Sequence, residues 1–407
     1  MTGDVVVTGM GVVSPAGVGL DDFHAAQLSG RSAVRGLSRY DCAGDPVRIA
    51  GEVDLPPDLT MSRRDALRTD RCSQLVAAAA DLAVAHAKLD LDAVDRTRAG
   101  VVIGSGMGGA STWEASCQAL QRDGAAAVRA RTIPMSMPND PAASLSVRYG
   151  TTGPCTAVGT ACASSADALV AAFQMIATGE ADLVLAGGAE APIVRTVVIG
   201  FSRLGALAED NAEPARASRP FDAGRRGFVI AEAAAVLVLE SAAHAAARGA
   251  QVHARFAGFG RSSDAYHTTM PHPDGSGAAT AIMAVLRHSG AAAADVAFVN
   301  AHGTGTQLND AAEAAALRAT LPGVPVTATK SITGHPLGAA GAVEAVATVQ
   351  ALAGGLVPPT ANLDDPDPAL GLDVVCGGPR RVSGDLALSN SFAFGGHNVV
   401  LAFARAA

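Results

Sequence analysis

The residue best suited to covalent chemistry in this sequence is Cys162. It lies in the motif TACASS at 160–165 and is followed directly by an Ala-rich segment of helical pattern that ends at Gly179. Free backbone N–H groups and the positive dipole at the start of such a helix would stabilise a thiolate and a developing oxyanion. Cys162 is therefore a candidate nucleophile. The alternative is an inert buried cysteine, which is what most single cysteines in Ala-rich helices are.

Two histidines, His302 in NAHGTGT and His335 in KSITGH, each follow a predicted strand. The carboxyl ends of strands are where α/β proteins place their chemistry. Two neutral imidazoles there could donate N–H groups to an enolate, or one could deprotonate the thiol. The alternatives are ordinary structural histidines, and a zinc site built from the Cys/His/His trio. Zinc is disfavoured because no carboxylate that would orient the ligands lies nearby in the sequence.

Lys330 opens the second histidine motif. It is either a simple surface lysine or, if buried beside Glu313 or Glu344, a charge that orients the site. Glu313 is expected to be structural rather than an acid or base.

The elements that would position these residues alternate between strands and helices. Alternation of this kind indicates an α/β protein with largely parallel sheets, and a strand, a Gly-rich turn and a buried Ala-rich helix occur in both halves. The main predicted strands are 4–10, 99–103, 182–186, 227–240, 297–300 and 324–328, and the main predicted helices are 67–88, 164–178, 311–320 and 339–353.

Composition narrows the class of protein. The chain has 407 residues, of which 49% are hydrophobic but only 4% aromatic, so a large core must be built from small side chains. A net charge of −8 argues against nucleic acid as the main partner. Six cysteines without a C-x-x-C pair favour a reducing cytoplasm over a disulfide scaffold or a zinc ribbon.

No membrane or export segment is expected. The start of the chain has no basic region before its first apolar segment, so we expect no signal peptide. The long uncharged stretch 345–363 contains paired glycines and paired prolines, which would end a helix before it could cross a membrane. The protein is predicted to be soluble and cytoplasmic.

Four motifs occur in the order TACASS, NAHGTGT, KSITGH and NSFAFGGHN. Together they resemble the beta-ketoacyl-[acyl-carrier-protein] synthases, above all the type II elongation ketosynthases, and the likeness runs from VVVTGMGVVSPAG near residue 5 to the last strand near residue 403. The resemblance implies a thiolase-like five-layered α-β-α-β-α sandwich with an internal pseudo-duplication. We place the half with the cysteine at 1–250 and the half with the histidines at 251–407.

The resemblance also implies a role for each site residue. Cys162 would accept an acyl group as a thioester from an acyl carrier protein. His302 and His335 would assist decarboxylation of a malonyl group and stabilise the enolate, and Lys330 would support His335. The remaining expected site residues are the oxyanion-hole N–H groups of Cys162 and Phe394, the gate Phe392 and Phe394, and the contacts of the phosphopantetheine arm at Thr304, Thr306, His267 and Thr269. No permanently bound cofactor or metal is implied.

Partners follow from the same resemblance. We expect a separate acyl carrier protein, and either a homodimer or a heterodimer with a chain-length factor that lacks the cysteine. A catalytically silent partner subunit on this fold is disfavoured by Cys162, and a thiolase by both histidines. Carrier docking is expected at Arg63, Arg64, Arg68, Arg71, Arg129, Arg131 and Arg203, although such a charge pattern is equally typical of a solvated helix face.

Three positions depart from the family pattern. Ala393 replaces the usual glycine between the two phenylalanines and is expected to stiffen the gate. The segment AEAA at 231–234 replaces Gly-Glu-Gly-Ala, which suggests a divergent member. His397 stands where the elongation enzymes often have threonine and is expected to be a loop side chain.

Overall fold

A computed structural model describes residues 4–406 of the chain. Residues 1–3, on which part of the signal-peptide prediction rests, and Ala407 lie outside the described range. The strands are β1 (Val5–Ser14), β2 (Gly17–Val18), β3 (Arg35–Gly36), β4 (Ile49–Ala50), β5 (Ala99–Gly104), β6 (Cys155–Val158), β7 (Leu183–Glu190), β8 (Ala233–Ser241), β9 (Ala254–Ser263), β10 (Val296–Asn300), β11 (Pro325–Thr327), β12 (Leu356–Val357), β13 (Asp373–Val374), β14 (Arg380–Arg381), β15 (Leu386–Ala393) and β16 (His397–Arg405).

The helices account for most of the remaining regular structure. They are α1 (Leu20–Ser29), α2 (Arg63–Ala66), α3 (Arg71–His86), α4 (Ala110–Asp123), α5 (Thr132–Ser136), α6 (Asp140–Tyr149), α7 (Ser164–Ala177), α8 (Arg195–Arg203), α9 (Ala242–Ala247), α10 (Ser276–Ser289), α11 (Gln307–Thr320), α12 (Lys330–Thr333) and α13 (Ala340–Gly354).

The same sheet topology occurs twice along the chain. The first half has the strand order β1-β8-β7-β5-β6, and the second has β9-β16-β15-β10-β11, with β13 added at its edge. In both, the first two pairings are antiparallel and the next two are parallel. The halves meet where β1 pairs antiparallel with β9. The second copy of the topology begins with β9, at Ala254.

Three layers of helices enclose the two half-sheets. The central layer contains α7 and α13, whose side chains share one buried cluster with strands of both halves. On one outer face α3 and α6 cover the first half-sheet, and on the other α10 covers the second together with α11. The predicted five-layered sandwich is confirmed. Because small residues dominate the central helices, the two sheets can approach them closely.

One helical stretch within the described residues, Leu337–Gly354, has the length and hydropathy of a membrane span. It includes α13, and 83% of it is buried inside the fold. Its apolar character is accounted for by its place between the two half-sheets, where nearly every face of the helix meets protein.

Several predicted boundaries are wrong. β1 continues to Ser14 instead of ending near residue 10. The long helix begins at Arg71, because the Asp70 side chain caps it by accepting a hydrogen bond from the Cys72 N–H at 2.9 Å. The strand predicted from 227 begins only at Ala233. The residues before it form single bridges to three other segments of the chain.

The start of α7 lies directly against the end of β5. A Cβ atom on Gly104 would lie 2.3 Å from the Ser164 carbonyl group and 2.4 Å from the Ser165 nitrogen. No side chain fits there, so Gly104 sets how closely the helix that follows Cys162 approaches the sheet.

We therefore predict that Gly104→Ala displaces the start of α7 and lowers the free energy of unfolding by about 1–3 kcal/mol, the usual cost of overpacking. The matched control is Gly200→Ala in α8, where no atom lies within 4 Å of the new Cβ. That variant should gain about 0.5–1 kcal/mol from helix propensity. Urea unfolding of both variants measures the difference, and equal stability would contradict the packing argument.

Candidate active site

Cys162 lies in a tight turn, Ala161–Ala163, immediately before α7. Ala161 has a φ of +50°, in the left-handed region that non-glycine residues rarely occupy. Ser164 holds the turn: its hydroxyl accepts a hydrogen bond from the Thr160 N–H at 2.9 Å and donates to the Ala161 carbonyl at 2.6 Å. Strain of this kind is commonly found at functional positions.

The sulfur of Cys162 lies in a desolvated setting. Burial raises the pKa of its thiol to about 12. The charge of Lys330 and a hydrogen bond from the Phe394 N–H act in the opposite direction, while Glu190 and Glu344 add to the rise. Desolvation therefore opposes the thiolate that the start of the helix was expected to stabilise, and it favours the protonated thiol. The free thiol is the resting form at neutral pH.

Lys330 is fully buried and makes three hydrogen bonds. Its Nζ bonds to the carboxylate of Glu344, to the carbonyl oxygen of His302 at 2.6 Å and to the Nδ1 atom of His302 at 3.1 Å. An ammonium has three protons and no lone pair. Nδ1 of His302 must then accept, so the proton of the neutral ring is on Nε2. Lys330 therefore supports His302, and the expectation that it would support His335 is wrong.

Both histidines are neutral. Burial holds the pKa of His302 and that of His335 well below the usual range, and the charge of Lys330 lowers both further. The two rings lie 5.4 Å apart between centroids and are nearly perpendicular. His335 is fixed by its backbone N–H, which donates to the Val229 carbonyl at 2.7 Å, and by an edge contact with Phe228. The pair therefore offers neutral imidazoles at one point of the fold.

Glu313 has the structural role expected of it. Its carboxylate accepts hydrogen bonds from the backbone N–H groups of His302 and Gly303, both at 2.8 Å, and from the Asn390 amide at 3.0 Å. It therefore fixes the turn that carries His302.

Glu190, at the end of β7, is a site residue that sequence reasoning missed. One of its carboxylate oxygens accepts from the Ser105 hydroxyl at 3.0 Å and the Met107 N–H at 3.1 Å. The other accepts from Gly106 N–H at 2.6 Å and Gly338 N–H at 3.0 Å. It thereby joins the turn after β5 to the turn after His335. Its partners are distant in sequence, so no local pattern could have indicated this role.

A cavity of about 560 Å³ brings most of the predicted residues together. Lys330 does not line it and lies behind His302. The predicted residues that line the cavity are Cys162, His302, His335, Phe392, Phe394, Thr304, Thr306, His267 and Thr269. Among residues 4–406, no group of three or more His, Cys, Asp or Glu side chains is arranged to hold a metal ion.

The two phenylalanines stand on either side of the end of β15. Phe392 is buried, with its ring 6.2 Å from that of His302, whereas Phe394 is half-buried with its ring 6.4 Å from that of Phe201. Ala393 is the last residue of β15 and pairs with His397, the first residue of β16. His397 therefore lies in a strand, and the prediction that it is a loop side chain is wrong.

The arginines predicted to dock a carrier protein differ in their surroundings. The guanidinium of Arg71 bonds to buried Glu232 at 3.1 Å and to the Val53 carbonyl at 2.8 Å, so it stabilises the fold and does not belong with the others. Glu232 also binds Arg39, which gives the AEAA segment a structural function. The exposed members of the group are Arg63, Arg64, Arg68, Arg129, Arg131 and Arg203.

Comparison with known proteins places this site in a family. Residues 2–245 match the family model for the beta-ketoacyl synthase N-terminal domain, and residues 253–364 match that for its C-terminal domain. The 3-oxoacyl-[acyl-carrier-protein] synthase 2 of Synechocystis sp. is 40% identical over 406 residues, which cover 98% of each chain.

Two solved structures share the fold over the whole of both chains. The ishigamide ketosynthase/chain length factor superposes with a TM-score of 0.94 at 33% identity. A type II PKS acyl-carrier protein in complex with its ketosynthase bound to the hexaketide gives a TM-score of 0.92 at 32% identity. These matches agree with the motifs, with the duplicated topology and with the cavity that contains Cys162, His302 and His335. They show that the chain belongs to the beta-ketoacyl synthase family of carbon–carbon bond-forming acyltransferases.

Proposed function

We propose that Cys162, His302 and His335 together perform the decarboxylative condensation of an acyl thioester with malonyl-[acyl carrier protein]. The observation that carries this proposal is their common cavity, in which Lys330 holds His302 as a neutral donor. The substrates would be thioesters on the phosphopantetheine arm of a carrier protein, and no permanent cofactor takes part.

In the first half-reaction the sulfur of Cys162 attacks the carbonyl carbon of the incoming acyl thioester. The backbone N–H groups of Cys162 and Phe394 would bind the oxyanion that develops there. The thiol proton leaves Cys162, and the carrier departs as a free thiol. Because the resting thiol is protonated, this proton must move during the attack, and it would pass to the sulfur of the departing carrier arm.

In the second half-reaction a malonyl thioester loses carbon dioxide and leaves an enolate. The Nε2–H of His302 and an N–H of His335 would donate to the enolate oxygen. The enolate carbon then attacks the acyl carbonyl on Cys162, forms the new carbon–carbon bond and expels the thiolate. A proton from solvent restores the thiol. Neutral donors suit this step, because an imidazolium would protonate the enolate before it could react.

Carrier docking would use the six exposed arginines, whose positive field attracts an acidic partner although the whole chain is acidic. We place the enzyme in the cytoplasm, acting in fatty acid or polyketide elongation. Thr304, Thr306, His267 and Thr269 would contact the arm inside the cavity, and Phe392 and Phe394 would separate the acyl and malonyl sites.

Assembly as a homodimer, or as a heterodimer with a chain-length factor, is part of the proposal. Its support is a set of exposed apolar side chains between residues 107 and 133: Met107, Trp113 and Ile133 are 39%, 55% and 59% exposed. The polyketide alternative is favoured by the likeness to the ishigamide ketosynthase/chain length factor. Purification from the native host separates the cases, because a second homologous chain without the cysteine would identify the heterodimer.

We predict that Cys162→Ala abolishes acylation by an acyl carrier thioester, as read by intact-protein mass spectrometry. Cys376→Ala, at an exposed cysteine outside the cavity, is the matched control and should load normally. Acylated Cys162→Ala protein would disprove the assignment of the nucleophile.

His335→Ala should still load, but malonyl decarboxylation should fall by about 10²–10³, as when one oxyanion donor is removed.

The raised pKa of Cys162 predicts a steep pH dependence. Below about pH 12 the thiolate fraction rises about tenfold per pH unit. The rate at which iodoacetamide alkylates Cys162 should therefore keep rising between about pH 6 and about pH 9, with free N-acetylcysteine as the reference thiol. A rate that levels off near neutral pH would indicate a resting thiolate–imidazolium pair and contradict this account.

Lys330→Met should leave Glu344 buried without a partner and cost about 3–5 kcal/mol of unfolding free energy. Replacing both residues in Lys330→Met/Glu344→Leu should recover most of that stability, as measured by thermal unfolding. Decarboxylation should remain low in both variants, because His302 has lost the donor that fixes its tautomer. Normal decarboxylation in the stable double variant would contradict the role given to Lys330.

A further inference from the structure

We propose that Arg226 binds the phosphate of the phosphopantetheine arm at the mouth of the cavity. The inference rests on the proposed function, since it concerns the same substrates. It adds a binding residue that none of the motifs contains.

Arg226 lines the cavity and is exposed, so its guanidinium can reach a ligand there. Its backbone is held in place by the next two residues. The Gly227 N–H donates to the Gly305 carbonyl at 3.0 Å, and the Phe228 N–H donates to the Ala206 carbonyl at 2.9 Å. Gly227 has a φ of +137°, and a Cβ on it would lie 2.6 Å from the Leu207 carbonyl carbon. Arg226 is therefore presented at a fixed point.

That point lies beside the less buried end of the turn that begins at His302, since His302 and Thr304 are buried and Thr306 is half-buried. The turn runs from His302 through Thr304 to Gly305 and Thr306, and Gly305 is the residue bonded to the segment of Arg226. An arm whose thioester lies at His302 and whose amides follow the threonines would thus bring its next group, the phosphodiester, to Arg226. The order of groups along the arm matches the order of side chains along the turn.

The charge of Arg226 has no protein partner. Its neighbour Arg225 is buried and pairs with Asp367 at 2.8 Å and with Asp310 at 3.7 Å. Arg226 makes no side-chain hydrogen bond or ion pair with any residue in the range 4–406. Apart from Cys162 and the histidines, the other ionisable side chain lining the cavity is Asp264, whose carboxylate accepts hydrogen bonds from the Asn398 amide at 2.7 Å and from the His272 N–H at 2.9 Å.

A free guanidinium at the mouth of a largely apolar cavity is suited to a phosphate monoanion. The planar fork of arginine donates two parallel hydrogen bonds to phosphate oxygens, and such charge-assisted bonds are the stronger ones. This function differs from that of the exposed docking arginines, which would act on acidic side chains of the carrier protein and not on its arm.

The test compares two small thioesters that differ only in the phosphate: an acyl pantetheine and the same acyl phosphopantetheine. The measurement is the second-order rate of Cys162 acylation, read by mass spectrometry. Arg226→Gln removes the charge and Arg226→Lys keeps it. Arg381→Gln, at an exposed arginine outside the cavity, is the control for a change in overall charge.

We expect wild type and Arg381→Gln to react about fivefold faster with the phosphorylated thioester, a difference that should shrink at high salt. Arg226→Gln should lose that difference and keep the wild-type rate with acyl pantetheine, and Arg226→Lys should retain part of it. Equal loss with both thioesters, or an unchanged ratio in Arg226→Gln, overturns the inference but leaves the proposed function intact. If neither thioester acylates wild-type Cys162, the proposed function fails and the inference fails with it.

Discussion

The site depends on one buried cation with three acceptors. The ammonium of Lys330 is held by Glu344 on the central helix α13 and by both the carbonyl and the ring of His302 at the end of β10. A charge in this interior is tolerated only because all three protons are bonded and an anion lies beside it. The cation fixes one tautomer of His302 and keeps its ring uncharged. The interaction therefore contributes more to the orientation of His302 than to the stability of the fold.

Desolvation favours the neutral form of the three reacting groups of the cavity, those of Cys162, His302 and His335. The thiol of Cys162 keeps its proton, and both imidazoles remain without theirs. The site therefore differs from a resting thiolate–imidazolium pair. It is arranged to stabilise charge only when charge develops, at an acyl oxyanion or an enolate, because the donors are already in place and need not reorganise.

The main features could be predicted from the sequence wherever a local pattern decides them. The short motifs around Cys162, His302 and His335 lie at strand ends and a helix start, and those local settings predict their places. The partner of Lys330 could not be predicted, because two buried glutamates were equally available to it. Glu190 and Arg71 have partners remote in sequence, so their roles follow only from the tertiary packing. The late start of β8 has the same cause, since the residues before it bridge three other segments.

The central claim is that Lys330 fixes His302 as a neutral ring protonated on Nε2. Nitrogen-15 NMR of the histidine side chains tests it most directly, with His302→Gln used to assign the resonances. At neutral pH we predict an unprotonated, hydrogen-bonded Nδ1 and a protonated Nε2 in the wild type, and loss of this single pattern in Lys330→Met/Glu344→Leu. Resonances of an imidazolium, or of a ring protonated on Nδ1, would contradict the account.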